Sequence, residues 1–173
     1  MTTKRNKQKN HGKQKDYFAS FKEASASHFN FLVTEYDFEC VSSKSYAMEC
    51  VIKYRNDTTG VTISYELGSA TWVVLSRLIN KGDETVEGES YGLHLLTRMR
   101  CPSMLIKHEA NARTEPDKYL ETALTGHAEI LRKCAADVLK GNFEVFEELK
   151  SVAEAERRRI NKELFGSETG ETV

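Results

Sequence analysis

Residues 46–67 read YAMECVIKYRNDTTGVTISYEL, and this stretch decides the fold. Apolar or aromatic residues occupy every second position along 46–54 and again along 61–67, a period typical of strands with one buried face. The NDTTG at 56–60 between them is typical of a turn, because Asn and Asp hydrogen-bond to nearby backbone and Gly tolerates positive φ. The stretch therefore predicts a β-hairpin.

The segments on either side of the hairpin extend it into a small sheet. The run TWVVLSRLI at 71–79 is β-branched and apolar, which favours a third strand after a break at Gly68-Ser69. Residues 38–43 add a short edge strand before the hairpin. Residues 80–90 are polar and contain glycine, so they are predicted to form a loop.

Helical periodicity begins before the sheet and returns after it. Along residues 16–36 apolar side chains recur every three or four positions, which places them on one stripe of a helix that starts at Asp16. Residues 91–100 predict a short helix. Cys101-Pro102 ends it, because proline lacks a backbone donor and restricts the residue before it.

Two longer helices follow a connection over residues 103–116. Connections of this length are uncommon and often functional. The clearest helix covers residues 117–140 and ends at Gly141, which is expected to adopt the left-handed conformation. Asn142 then caps the last helix.

This order of elements predicts an α+β fold. An N-terminal helix precedes a three- to four-stranded antiparallel sheet, and three C-terminal helices pack on one face of it. The length of 173 residues corresponds to one domain, which is expected over residues 16–165. Residues 1–15 are predicted to be a disordered basic arm, and residues 166–173 a frayed tail.

Composition narrows the class of protein. Hydrophobic residues make up 39% and charged residues 29%, which excludes a wholly disordered chain. Without an 18-residue apolar run or a secretory signal, the expected location is cytoplasmic, with no membrane partner. The four cysteines form no CxxC pair and are expected to be reduced there, so neither a metal nor a cofactor is predicted. The glycosylation sequon at Asn56 is then without consequence.

Charge is distributed unevenly along the chain. The net charge is −1, but residues 1–15 carry six cations and no acid, so the remaining residues carry −7. The cations are Lys4, Arg5, Lys7, Lys9, Lys13 and Lys15. Such an arm can bind nucleic acid by releasing counterions from phosphates, or it can serve only to keep the protein soluble.

Catalytic motifs are absent: GxSxG, HExxH, the P-loop and GxGxxG do not occur, and no catalytic residue is predicted. His127 and Cys134 lie seven positions apart on one apolar stripe and are interpreted as core residues rather than as half of a metal site. An enzyme of an unfamiliar kind remains an alternative, with its site around the 101–116 loop and His94 or His108.

Candidate partner-binding residues are Tyr65, Trp72, Arg157 and Arg158. Sheets often leave one face open, and Tyr and Trp dominate binding hot spots, although core burial of Tyr65 and Trp72 is equally compatible with the pattern. The arginines belong to a triple on the last helix, which is either a basic docking strip or a solvated surface.

Two motifs carry a resemblance to a known class of proteins. Phe29-Asn30-Phe31-Leu32, followed by Glu35-Tyr36-Asp37-Phe38, resembles the opening of small bacterial proteins that are uncharacterised or of immunity type. These proteins tend to end with Leu-x-Gly-Asp/Asn-x-x-x-Phe-x-x-Leu, matched here by Leu139, Gly141, Asn142, Phe146 and Leu149. The resemblance covers residues 17–150 and implies an α+β fold and, for some members, neutralisation of a toxin. The basic arm departs from it.

The leading hypothesis is therefore a non-catalytic protein-binding module of immunity or defence type that occludes a partner. The negative charge outside the arm suits a basic protein partner. The alternatives are an accessory protein that binds nucleic acid through residues 1–15, and an enzyme with a site near the 101–116 loop.

Overall fold

The computed structural model describes residues 17–105 and 110–166. Two N-terminal helices are followed by five strands and then by four helices. In chain order these are α1 (Tyr17–His28), α2 (Asn30–Tyr36), β1 (Glu39–Ser45), β2 (Glu49–Arg55), β3 (Thr59–Glu66), β4 (Thr71–Lys81), β5 (Glu84–Gly92), α3 (Leu93–Arg100), a 3-10 turn (Pro102–Met104), α4 (Pro116–Cys134), α5 (Ala136–Leu139) and α6 (Val145–Phe165). The predicted basic arm, and the predicted tail beyond Gly166, lie outside the described residues.

The five strands form one antiparallel sheet in the order β1-β2-β3-β4-β5, so each strand pairs with its neighbour in sequence. The predicted hairpin is confirmed as β2 and β3, with Ile52 opposite Ile63. Alternate residues of these strands, such as Cys50 and Tyr54, are buried in the core. The residues between them are only partly buried, so one face of the hairpin belongs to the core.

The prediction of a loop over residues 80–90 is wrong, because most of this segment forms β5. Its pairing with β4 runs from Lys81 opposite Glu84 to Val74 opposite Gly92. The side chains of β5 are mostly exposed at this edge of the sheet, so no alternation of apolar residues marks the strand. The sheet consequently has five strands, rather than three or four.

The opposite edge is β1, and the short edge strand predicted at residues 38–43 is confirmed with shifted bounds. Cys40 lies opposite Tyr54 and Ser42 lies opposite Lys53, so Val41 is an extra residue that forms a β-bulge. Every side chain of β1 except that of Ser42 is exposed. This edge therefore contributes little to the core.

The predicted N-terminal helix is two helices. α1 ends at His28, and Phe29 leaves the helical conformation with φ −101° and ψ 11° before α2 begins. Phe29 and Phe31 are both buried, and residues two positions apart do not share a face of a continuous helix. The break allows both rings to enter the core.

The C-terminal helices pack on the sheet, and α4 also lies against α1. Phe21 of α1 contacts Tyr65 of β3, with ring centroids 5.5 Å apart. The helix predicted over residues 117–140 is interrupted at Ala135, which separates α4 from α5. Gly141 adopts φ 86°, which confirms the left-handed end, and Asn142 Oδ1 accepts a hydrogen bond from the Glu144 N–H just before α6.

A disulfide between Cys101 and Cys134 joins the end of α3 to the end of α4. The expectation that all cysteines are reduced is therefore wrong for this pair, while Cys40 and Cys50 are free thiols. Spacing could not reveal the bond, because its two cysteines are 33 residues apart and only the fold brings the helix ends together. Arg100 adds a second link, since its Nη1 donates to the Cys134 carbonyl at 3.0 Å and to Asp137 Oδ1 at 2.7 Å.

Asn56 joins the β2–β3 turn to two helices. Its Nδ2 donates to the Tyr36 carbonyl at 3.2 Å and to the Leu139 carbonyl at 3.1 Å. Its Oδ1 accepts from the backbone N–H groups of Thr58 at 3.0 Å and Thr59 at 2.8 Å. A glycan would attach to this same Nδ2 atom. In the fold, the atom is instead held by its hydrogen bonds to the two helix carbonyls.

Candidate ligand-binding cavity

A cavity of about 620 Å³ lies where β5 ends and α3 begins. Pairing between β4 and β5 starts at Val74, so the first three residues of β4, Thr71–Val73, have no partner in β5. The cavity opens beside this segment of strand. It is bounded by the β3–β4 turn, α3, Leu105, residues 110–113 and α4.

The wall of the cavity is mainly apolar. The buried side chains that line it include those of Val73, Leu93, Ala110, Ala112 and Ile130. Sites for small molecules commonly measure roughly 300–1,000 Å³ and combine apolar walls with a few fixed polar groups. The volume and the wall both match that description.

Three polar side chains are held together on the buried side of the cavity. The Thr71 backbone N–H, at the start of β4 where this strand pairs with β3 but not with β5, donates to Tyr119 Oη at 3.0 Å. The Thr71 hydroxyl hydrogen-bonds with His127 Nε2 at 3.1 Å. Thr71 and Tyr119 are both buried, so β4 and α4 present polar atoms at fixed positions within an apolar surrounding.

Arg113 is the one permanently charged residue among the described residues that line the cavity. Its Nε donates to the Gly68 carbonyl at 3.1 Å, and its backbone N–H donates to Asn111 Oδ1 at 2.8 Å. Gly68 has φ 72°, and a Cβ placed there would lie 3.3 Å from Arg113 Cγ. The arginine stem therefore packs closely on a glycine turn, which fixes its direction.

Trp72 and His94 form part of the exposed rim. The Trp72 side chain is 52% exposed, and its ring centroid lies 6.3 Å from that of His94 at an interplanar angle of 76°. His94 Nε2 is 3.8 Å from Glu156 Oε2 on α6, and Arg98 donates to the other oxygen of that carboxylate at 3.1 Å. These contacts connect the rim to α6.

The predicted partner-binding residues do not form one surface. Tyr65 is fully buried beneath α1, and burial raises its pKa, so its assignment to an exposed partner surface is corrected. Trp72 is exposed, as the hypothesis required. Arg157 and Arg158 are exposed on α6, which contributes no residue to the lining of the cavity.

The segment predicted as an alternative enzyme site does border the cavity. Leu105, residues 110–113 and His94 line it, whereas His108 lies outside the described residues. His127, interpreted as a core residue, lines the cavity and contacts Thr71 instead. Cys134 shares its helix but is bonded to Cys101, so the two residues do not form a joint site.

Sequence reasoning missed Thr71, Arg113 and Tyr119 as cavity residues. Thr71 belongs to a β-branched strand pattern, and Tyr119 lies within an ordinary helical segment. β5 ends opposite Val74, so the start of β4 has no partner in β5. This segment of β4 borders the cavity together with α4. The one available signal was the unusual length of the 103–116 connection, which contains Arg113.

Other kinds of centre are not evident in residues 17–105 and 110–166. Within these ranges no three His, Cys, Asp or Glu side chains are grouped so that they could hold a metal ion. No helix of the same ranges is both long and apolar enough to cross a membrane. Comparison with protein-family models, with curated proteins and with solved structures finds no match to this chain.

Proposed function

We propose that this chain is a non-catalytic binding protein that holds a small molecule with an apolar body in the cavity beside β4. The observation that carries the proposal is the combination of a cavity of about 620 Å³, a buried apolar wall and fixed polar atoms in one place. This combination is the usual basis of small-molecule recognition.

Thr71 and His127 can serve as a polar anchor for such a ligand. The Thr71 hydroxyl and His127 Nε2 hydrogen-bond at 3.1 Å, and both residues line the mainly apolar cavity. A few fixed polar groups of this kind orient a ligand whose body is apolar.

That the chain is a module of immunity or defence type that occludes a protein partner stays a prediction. Of the residues predicted to bind that partner, only Trp72 lines the cavity. The arginines predicted for that surface lie on α6 rather than at the cavity, and Tyr65 is buried. Binding of nucleic acid through residues 1–15 also stays a prediction, since those residues are outside the described part of the chain.

Trp72 allows a direct test, because it is the only tryptophan of the chain and lies at the cavity. N-phenyl-1-naphthylamine, a neutral apolar probe, is titrated into the full-length protein. We expect quenching of Trp72 fluorescence and a matching rise of probe emission with saturation at one site. Ala112→Phe fills the apolar wall and should weaken probe binding at least tenfold.

Ala155→Phe is the matched control, because Ala155 is exposed on α6 and does not line the cavity. It should leave probe binding unchanged. If Ala112→Phe unfolds the protein, Ser69→Phe at an exposed turn position of the same cavity replaces it. Equal probe affinity in the cavity variant and in the control, or no saturable binding to the natural sequence, would contradict the proposal.

A further inference from the structure

The guanidinium of Arg113 is held in place through its Nε atom. Nε is bonded to the Gly68 carbonyl, which fixes the plane of the group at the β3–β4 turn. Neither terminal nitrogen forms a hydrogen bond or an ion pair with any residue that the structure describes. The nearby Glu115 is paired with Lys118 instead.

With Nε bonded to Gly68, the edge formed by the two terminal nitrogens has no partner among the described residues and is suited to one planar anion. Its donors match the two oxygens of a carboxylate, and a charge-assisted pair of this kind gives orientation as well as affinity. Among the described lining residues, Arg113 carries the only permanent charge and none is acidic. The charge that the described lining residues present is therefore complementary to an anion rather than to a cation.

The position of Arg113 also sets the orientation of a bound ligand in the cavity. Arg113 is exposed, whereas Val73, Leu93 and Ile130 are buried. An anion beside Arg113 keeps contact with water, which avoids the large cost of burying a charge. The remainder of the molecule then extends along the apolar wall, where burial of CH₂ groups stabilises the complex.

We infer that the cavity takes an apolar monocarboxylate, whose carboxylate pairs with Arg113 and whose hydrocarbon body lies against the wall formed by β4, α3 and α4. The inference rests on the proposed binding function and specifies its ligand class. Arg113 is the residue that distinguishes an acid from a neutral molecule of the same shape.

The test compares decanoate with 1-decanol, which share a ten-carbon chain and differ in the charged end. Affinities are measured by Trp72 fluorescence and by calorimetry on the full-length protein. We expect decanoate to bind about tenfold more tightly than 1-decanol. Arg113→Gln should abolish this preference while leaving the affinity for 1-decanol within about twofold, because the apolar wall is untouched.

Arg157→Gln makes the same change of charge at an exposed position of α6 and should keep the tenfold preference. Preference for decanoate should also decrease at high salt, because an exposed charge pair is screened. If N-phenyl-1-naphthylamine binds but acid and alcohol bind equally, or if Arg113→Gln keeps the preference, the ligand class is wrong while the binding function stands. If neither the probe nor either ligand binds, both proposals are overturned.

Discussion

Replacement of Asn56 by alanine is expected to lower the free energy of unfolding by about 3–4 kcal/mol, since the four hydrogen bonds from its side chain to backbone groups, at roughly 1 kcal/mol each, are lost. Two of them hold the β2–β3 turn, and two reach the carbonyls that end α2 and α5. The substitution leaves partly buried backbone groups without partners, which costs more than deletion of an isolated surface pair. Urea unfolding followed by circular dichroism gives the free energy, and the melting temperature should fall by roughly 10 °C.

Asn80→Ala is the matched control. Asn80 is an exposed asparagine of β4, whereas Asn56 is half-buried in the β2–β3 turn, and the Asn80 side chain accepts one hydrogen bond, from Thr85 at 3.0 Å. Its loss should cost no more than about 1 kcal/mol. Asn56→Asp should lower the free energy of unfolding by more than Asn80→Ala does. Its carboxylate keeps the two acceptor contacts but faces the Tyr36 and Leu139 carbonyls with a negative charge. Similar unfolding curves for Asn56→Ala and Asn80→Ala would show that Asn56 does not join these segments in solution.

Removal of the Cys101–Cys134 disulfide by a double substitution to serine is expected to cost about 3–4 kcal/mol. The bond closes a segment with a sequence separation of 33, and restricting the unfolded chain over a loop of this length stabilises the fold by that order. Urea unfolding of the natural sequence, measured with and without a reductant, should differ by the same amount. The reduced natural protein and the double variant should then give one curve.

Cys40→Ser is the control for this experiment, since Cys40 is an exposed free thiol. It should shift the curve by no more than about 0.5 kcal/mol, as is usual for surface substitutions. The Arg100 contacts to Cys134 and Asp137 remain in the double variant and should keep α3 and α4 together. Identical unfolding with and without reductant would mean that the two thiols are not bonded in the purified protein.

Stability should also fall in acid through Asp137. Burial works to raise the pKa of this carboxyl, but the hydrogen bond from Arg100, backbone hydrogen bonds at Val138 and Asp137 and the charge of Arg100 together outweigh it, so the pKa is lowered overall. A carboxyl whose pKa is lower in the folded state stabilises the protein above its unfolded pKa, and this contribution is lost as pH falls below that value. Unfolding curves recorded from pH 5 down to pH 3 should show a smaller decrease for Asp137→Asn than for the natural sequence.

The central hairpin of β2 and β3 could be predicted because its sequence signals are local. The alternation in residues 46–67 and the NDTTG turn at 56–60 specify β2 and β3 without any distant contact. β5 could not be recognised in the same way, since an exposed edge strand needs no apolar face. The break at Phe29 was also hidden, because a helical period continues across it while two buried rings require the chain to turn.

The sequence indicated the place of the cavity only through the long connection over residues 103–116 and the nearby His94. Its polar atoms come from residues as distant as Thr71 and His127, and no spacing in the sequence relates them. The free edge of β4 depends on where β5 ends, which is a property of the folded sheet. Arg113 is fixed at the cavity by its hydrogen bond to the Gly68 carbonyl, so its charge in the sequence could not identify it as a cavity residue.

The bulge at Val41 has a consequence for how molecules of this protein meet one another. A regular, flat edge strand offers its unpaired backbone groups to an identical strand and so invites aggregation. In β1 the extra residue at Val41 interrupts that regular row, and the charged side chains of Glu39 and Lys44 are exposed along the same strand. At the far edge β5 carries the exposed Glu84 and Glu89, which would repel a second copy, while Glu87 is paired with Lys53 at 2.7 Å. Both margins of the sheet thus resist growth into a larger intermolecular sheet, even at high protein concentration.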